Sequence, residues 1–346
     1  MLIWFDALTP KQARIGAILF LEGCKRGIGV LITGREYSYI EETLRPYSVP
    51  FIKVSEYGES LKEKLLKYAE RIRYLTNLLP EFDVAVGFPS PDMHRVAFGL
   101  GRPIITLTDT VHADKVHRLC LPLSSLIVVP DVIPMEEILK YVVRGEEWKV
   151  VRFHGVFEIM WVRRHTPCRE VLDRLGLEPE HYVIVRPEES RAHYYEYGDK
   201  LDILCTIIDR IVKKGLKVVF LPRYRFQEEH IKRKLYDNEN IVIPRGIPLN
   251  MLDLYSYARL IITGGLSMAT EAALMGVPSV SYFPSRTYIE DLLKSIDAPL
   301  IKVSSIVELC SMIDDLLELP RARPRVEELE DPTDLILNKA QELSRG

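Results

Sequence analysis

Residues 263–284, TGGLSMATEAALMGVPSVSYFP, constrain the fold more than any other stretch. The apolar run RLIIT at 259–263 delivers the chain into Gly264-Gly265, where it can bend tightly and let a ligand approach the backbone. A helix is expected from about Ser267, capped by Ser267 or Thr270, and Gly276-Val277-Pro278 stops it before a β-rich run at 279–283. That is a βαβ unit. In an open α/β sheet, amides at such a helix N-terminus bind phosphate and an acid nearby holds a ribose diol, a position that Glu271 fits. Spacing alone leaves a second reading open, in which the glycines serve strand-to-helix packing and Glu271 is solvated.

The same alternation runs through the chain. Strand-like apolar runs at 2–5, 30–33, 51–54, 84–86, 104–107 and 124–129 are separated by helical patterns, and the order resumes at 182–186, 217–221, 240–243, 260–263, 278–282 and 300–301. Strands alternating with helices argue for parallel, doubly wound sheets. A chain of 346 residues exceeds what one core usually organises. Two α/β domains are therefore expected, 1–150 and 151–320. Residues 321–346 form a tail, a candidate helix packing back on the first domain. Residues 131–168 show no sheet rhythm and read as a crossing segment between the two.

Composition excludes several classes. A net charge of -3 and a pI near 6.3 give no overall basic field for nucleic acid or an anionic membrane. Cys24, Cys120, Cys168, Cys205 and Cys310 lie far apart, without zinc or disulfide spacing, and read as reduced thiols. No apolar run is long enough to span a bilayer, which points to a cytoplasmic protein. Only eight residues are Asn or Gln, which leans towards a thermophilic source. GxxxxGK[ST], GxSxG and a GxGxxG after the first strand are all missing, and His and carboxylate residues lack ligand spacing. No metal and no tightly bound cofactor are expected.

Ligands of such sheets bind beyond the carboxyl ends of the strands, which brings Asp6, Asp92, His94, Asp109 and His112 to one rim. Asp109 and His112 form the most suggestive acid/base pair, since histidine titrates near neutrality. The other reading makes Asp109 a helix cap with His112 in the first turn. Asp6 is a candidate ligand contact or a turn cap. The helix at 109–121 is also a candidate homodimer contact.

Ordered pieces along most of the chain resemble a family of unknown function, DUF354. They are IWFDALTP (3–10), GVLITGREY (29–37), FPSPDMHRVAFGLGRP (88–103), TDTVHADKVHRLCLPLSSLIVVP (108–130), FHGVFEI (153–159), VRPEESRAHY (185–194) and LYSYARLIITGGLSMATEAALMGVP (254–278). Gly265, Glu271, Ala273, Gly276 and Pro278 are similar to the UDP-binding helix of MurG glycosyltransferases. The resemblance implies a GT-B-like fold, two Rossmann-like domains facing each other across a cleft, related also to hydrolysing UDP-GlcNAc 2-epimerases. It implies a UDP-sugar substrate held by Gly264, Gly265, Ser267 and Glu271, with Arg186 and His193 as anion-binding candidates and Arg223 and Arg225 behind them. Main-chain groups at 247–249 would read the base.

Asp109, His112 and Asp6 would act on the sugar or an unnamed acceptor. The first expectation is a glycosyltransferase, the second an epimerase-like enzyme, and the third a nucleotide- or sugar-binding protein without catalysis. Two departures matter. Gln12 occupies the position of a family histidine, and Gln cannot accept a proton at neutral pH. Leu266 and Thr270 replace a glycine and an arginine of the family's phosphate loop.

Overall fold

The computed structural model describes residues 1–36, 39–56, 58, 60–188, 200–235, 238–244, 250–285 and 287–345. The chain divides into two compact units, Met1–Trp161 with Leu329–Gly346, and Val162–Glu328.

The first unit alternates β1 (Leu2–Ala7), α1 (Pro10–Lys25), β2 (Gly29–Glu36), α2 (Ile40–Leu44), β3 (Ile52–Glu56), α3 (Leu61–Leu78) and β4 (Val84–Gly87). It continues with α4 (Pro91–Gly99), β5 (Ile104–Leu107), α5 (Asp114–Cys120), β6 (Leu126–Pro130), α6 (Met135–Leu139), β7 (Val150–Phe153) and α7 (Ile159–Val162). All strand pairs are parallel, in the order β3-β2-β1-β4-β5-β6-β7. The central strands β1, β4 and β5 are buried on both faces, as their unbroken apolar runs require.

β7 falls in the stretch whose sequence showed no sheet rhythm. As an edge strand it is half exposed along most of its length, so it carries neither the continuous apolar run nor strict alternation.

The second unit follows with α8 (Glu170–Leu175), β8 (Tyr182–Arg186), α9 (Lys200–Lys213), β9 (Lys217–Phe220), α10 (Arg225–Leu235), β10 (Ile241–Val242) and α11 (Met251–Ser256). Then come β11 (Leu260–Thr263), α12 (Ser267–Leu274), β12 (Ser279–Ser281), α13 (Ile289–Ser295), β13 (Leu300–Lys302) and α14 (Ile306–Leu317). Its parallel sheet runs β10-β9-β8-β11-β12-β13. The core packs Val183, Phe220 and Ile262 of the sheet against Leu204 and Ile208 of α9 and Leu309 and Ile313 of α14. In both sheets the strand order reverses once, beside β1 in the first unit and beside β8 in the second. Such reversals leave a crevice at the carboxyl ends of the strands.

After the second unit the chain returns as α15 (Thr333–Leu343), which buries Ile336, Leu337 and Ala340 and packs on α1, where Arg26 pairs with Asp334. Among the described residues no helix is long and apolar enough to cross a membrane.

Candidate functional site

The second unit builds a loop where its strand order reverses. Thr263 lies in register with Arg186, and Gly264 N–H donates to the Arg186 carbonyl at 3.0 Å. A Cβ on Gly264 would stand 2.4 Å from Glu188 Cα, so only glycine lets the loops after β8 and β11 touch. Gly265 N–H is turned onto Thr263 Oγ1 at 3.1 Å, and Ser281 Oγ donates to the Gly265 carbonyl at 3.0 Å. Leu266, not Ser267 or Thr270, occupies the cap of α12, and it offers no side-chain bond to the first amides. The helix starts in the turn itself, so its first residues stand beside the glycines. Ser267 is half-buried there. Glu271 is buried at 2% exposure, which removes the reading in which it is solvated.

The loop after β9 closes in from the side. Arg223 donates through Nε to the Pro187 carbonyl at 3.3 Å, and its Nη2 lies 3.5 Å from where a Gly265 Cβ would be. Buried Gln227 accepts from the Arg223 and Tyr224 amides at 2.9 and 3.2 Å and donates to the Glu188 carbonyl at 3.3 Å. Gln227 thereby fixes Arg223 next to the glycine turn.

The first unit builds a second cluster. Lys11, at the start of α1, reaches Asp109 Oδ2 after β5 and, at 2.6 Å, Glu158 Oε1 after β7. Its ammonium sits 5.9 Å from the ring centres of both Phe88 and Phe157, within cation–π range. The side chains of Lys11, Asp109 and Glu158 keep only 16%, 11% and 4% of their exposure. Burial alone would discharge Lys11, yet the two carboxylates more than reverse this and hold its proton firmly. Burial pushes the Glu158 carboxyl above its ordinary range; the charge of Asp109 adds to that and Lys11 opposes it. One cation thus bridges a pair of acids. His112 remains accessible on the same loop as Asp109; packing around its ring lowers its pKa, and Asp109 partly offsets this.

The first unit also holds a buried ion network. Asp6 is fully buried, its oxygens accepting from Arg71 at 2.6 and 3.1 Å, from Thr33 at 2.8 Å and from Ser90 at 2.9 Å. Burial works against its charge, but Arg71 and the hydroxyls hold its carboxyl below the usual range. Asp92 takes Arg71 and Arg35, each at 2.7 Å. His94, also fully buried, must donate from Nδ1 to the Ser90 carbonyl at 2.7 Å, so Nε2 accepts from Thr106.

A family model described as "Protein of unknown function (DUF354)" matches residues 2–345. The chain belongs to the DUF354 family. An uncharacterised protein of Methanocaldococcus jannaschii is 29% identical to this DUF354 chain over 346 residues, covering 97% of each. Among solved structures, the UDP-GlcNAc 2-epimerase of M. jannaschii in complex with UDP-GlcNAc and UDP aligns with a TM-score of 0.77 at 15% identity, covering 99% of this chain and 100% of that one. The Neisseria meningitidis UDP-GlcNAc 2-epimerase bound to UDP-GlcNAc gives 0.75 at 15% identity, with the same coverage. At such identity the likeness shows the fold, a GT-B-like pair of Rossmann-like domains.

Of the residues singled out from sequence, the DUF354 chain brings Gly264, Gly265, Ser267, Glu271 and Arg186 to the crevice of its second sheet. Asp109 and His112 share one loop of the first unit. Asp6, Asp92 and His94 are interior residues with no exposed surface. His193 and residues 247–249 lie outside the described residues. The sequence singles out neither Lys11 nor Glu158: Lys11 falls in an altered loop, and Glu158 in the stretch without sheet rhythm. The usable signal was FHGVFEI, which puts a lone acid in an apolar run.

Proposed function

We propose that this DUF354 chain binds a UDP-sugar and performs acid/base chemistry on the sugar, as an epimerase-like enzyme. The observation that carries the reading is Lys11 bridging Asp109 and Glu158. Removing and returning a proton at a sugar carbon needs one group able to accept and one able to donate, and two carboxyls in unequal environments provide that pair. Asp109 would serve as the acceptor, and Glu158, whose carboxyl burial pushes above its ordinary range, as the donor. The nucleotide would lie on the second unit, its phosphates against the Gly264-Gly265 turn, the first amides of α12, Arg186 and Arg223, its ribose near Glu271. Asp6, with every oxygen engaged, supports the strand ends rather than touching sugar. UDP-GlcNAc is the natural first substrate, because the structurally similar epimerases carry it in their crystals.

A glycosyltransferase is less well supported. Gln12 accepts from the Leu8 amide at 2.6 Å and its own amide is capped by Thr9 at 3.3 Å, so it serves the loop and offers no base for an acceptor hydroxyl.

The deciding experiment is NMR of UDP-GlcNAc incubated with the enzyme in deuterated water, beside calorimetry of UDP binding. Deuterium should enter the sugar at C2, and Asp109→Asn or Glu158→Gln should slow exchange by about a hundredfold or more while UDP affinity stays within about twofold. Binding without exchange would replace the enzyme with a binding protein. Absence of any nucleotide binding would overturn the reading as a whole.

A further inference from the structure

The geometry points to a cation site for a thiophilic divalent metal such as Zn²⁺, held by Asp202 and Cys205 of α9 and His230 of α10. None of these residues takes part in the functions argued above. Asp202 and Cys205 are three apart, on one face of their helix, and α10 packs alongside to present His230. The carboxylate oxygen, the thiol sulfur and a ring nitrogen all lie within 4.8 Å of one another, close enough for a single ion to draw them together. Asp202 and Cys205 line a surface cleft of about 610 Å³, so an ion and a further ligand have an entry path. The helices are fixed from behind, with Leu204, Ile207, Ile208 and Ile231 in the core of the unit.

The donor set is specific in kind. Thiolate, imidazole and carboxylate together suit zinc or cobalt rather than magnesium or calcium, and three protein ligands leave a fourth position for water or another group. Binding takes the proton from Cys205, which leaves to solvent while a sulfur lone pair forms the metal bond; nothing is oxidised or reduced. The surroundings must rearrange slightly. His230 Nε2 now donates to Asp202 Oδ1 at 2.7 Å while Nδ1 accepts from Arg233 at 3.4 Å, so to ligate through Nε2 the imidazole must move its proton to Nδ1 and Arg233 must turn away from it. Lys234, 3.1 Å from Asp202, must swing away, which its half-exposed side chain permits.

The test is titration of the full-length, chelator-stripped chain with Co²⁺, followed by competition with Zn²⁺. One equivalent should bind, with visible bands of a tetrahedral centre, a near-ultraviolet thiolate-to-cobalt band, and displacement by Zn²⁺. Cys205→Ser should abolish the thiolate band. His230→Ala, at a partly buried position outside the core cluster, should weaken Co²⁺ by about tenfold or more. Cys168→Ser should leave the spectrum unchanged. Failure to bind one equivalent, a thiolate band that survives Cys205→Ser, or wild-type affinity in His230→Ala would overturn the site.

Discussion

Lys11 holds together a cluster drawn from three distant stretches of the chain. Its neighbours in sequence say only that it begins a helix after Thr9 and Pro10; its partners are 98 and 147 residues away. No local pattern can announce such a meeting. Glycine turns, by contrast, are legible because the backbone requires them. Replacing Lys11 by Met would leave Asp109 and Glu158 buried with no counter-charge, and breaking a buried pair in that way costs about 3–5 kcal/mol. Chemical denaturation should show a loss of that size in Lys11→Met, largely recovered in Lys11→Met/Asp109→Asn/Glu158→Gln, where neither acid can carry a charge. An equal loss in both variants would mean that the cluster contributes through packing instead of charge.

Two buried histidines bear on pH at the same scale. Burial lowers the pKa of His94 to about 4 and that of His117 to about 4. An unfolded histidine titrates near 6.5. With folded values below the unfolded one, the unfolded chain binds more protons in this window. The stability these rings contribute is therefore complete above about pH 6.5 and is lost as pH falls towards 4, by on the order of 3 kcal/mol for each. Denaturant midpoints should decline from pH 7 to pH 4.5, and His94→Asn should flatten the slope.

At the scale of elements, the strand–turn–helix unit around Gly264 was legible because its period, its glycines and its proline stop all agree. The edge strand β7 was not, because its residues answer to solvent on one side. The two glycines of the turn separate structure from binding. A methyl on Gly264 meets the Glu188 backbone at 2.4 Å, an obstacle that no side-chain rotation relieves. Gly264→Ala should cost about 1–3 kcal/mol of stability as the two loops are forced apart. At Gly265 the nearest atom is the movable end of Arg223 at 3.5 Å, an ordinary contact. Gly265→Ala should leave stability unchanged and yet weaken UDP in calorimetry about tenfold or more, since the methyl stands where phosphate would meet the turn. Unaltered UDP affinity in Gly265→Ala would place the phosphates elsewhere.

For the whole molecule, the decisive fact is that the first unit is made of both ends of the chain, with the second unit inserted between Trp161 and Leu329. The alternation of strands and helices announces two α/β halves, while the return of the tail to the first domain stands in the sequence only as a candidate: α15 is a short amphipathic helix whose partner, α1, is distant in sequence. Each unit has its own sheet, so unfolding need not be a single transition. All the residues proposed to hold nucleotide belong to the inserted unit. A ligand that binds only the folded form stabilises it by about 2.7 kcal/mol at a hundred times its Kd. UDP at that excess should therefore slow amide hydrogen exchange in β8, β11 and α12 and leave β1, β4 and β5 nearly unaffected. Equal protection of both sheets would instead mean that the nucleotide couples the two units into one cooperative body, and the Lys11 cluster would then respond to UDP even before a sugar is present.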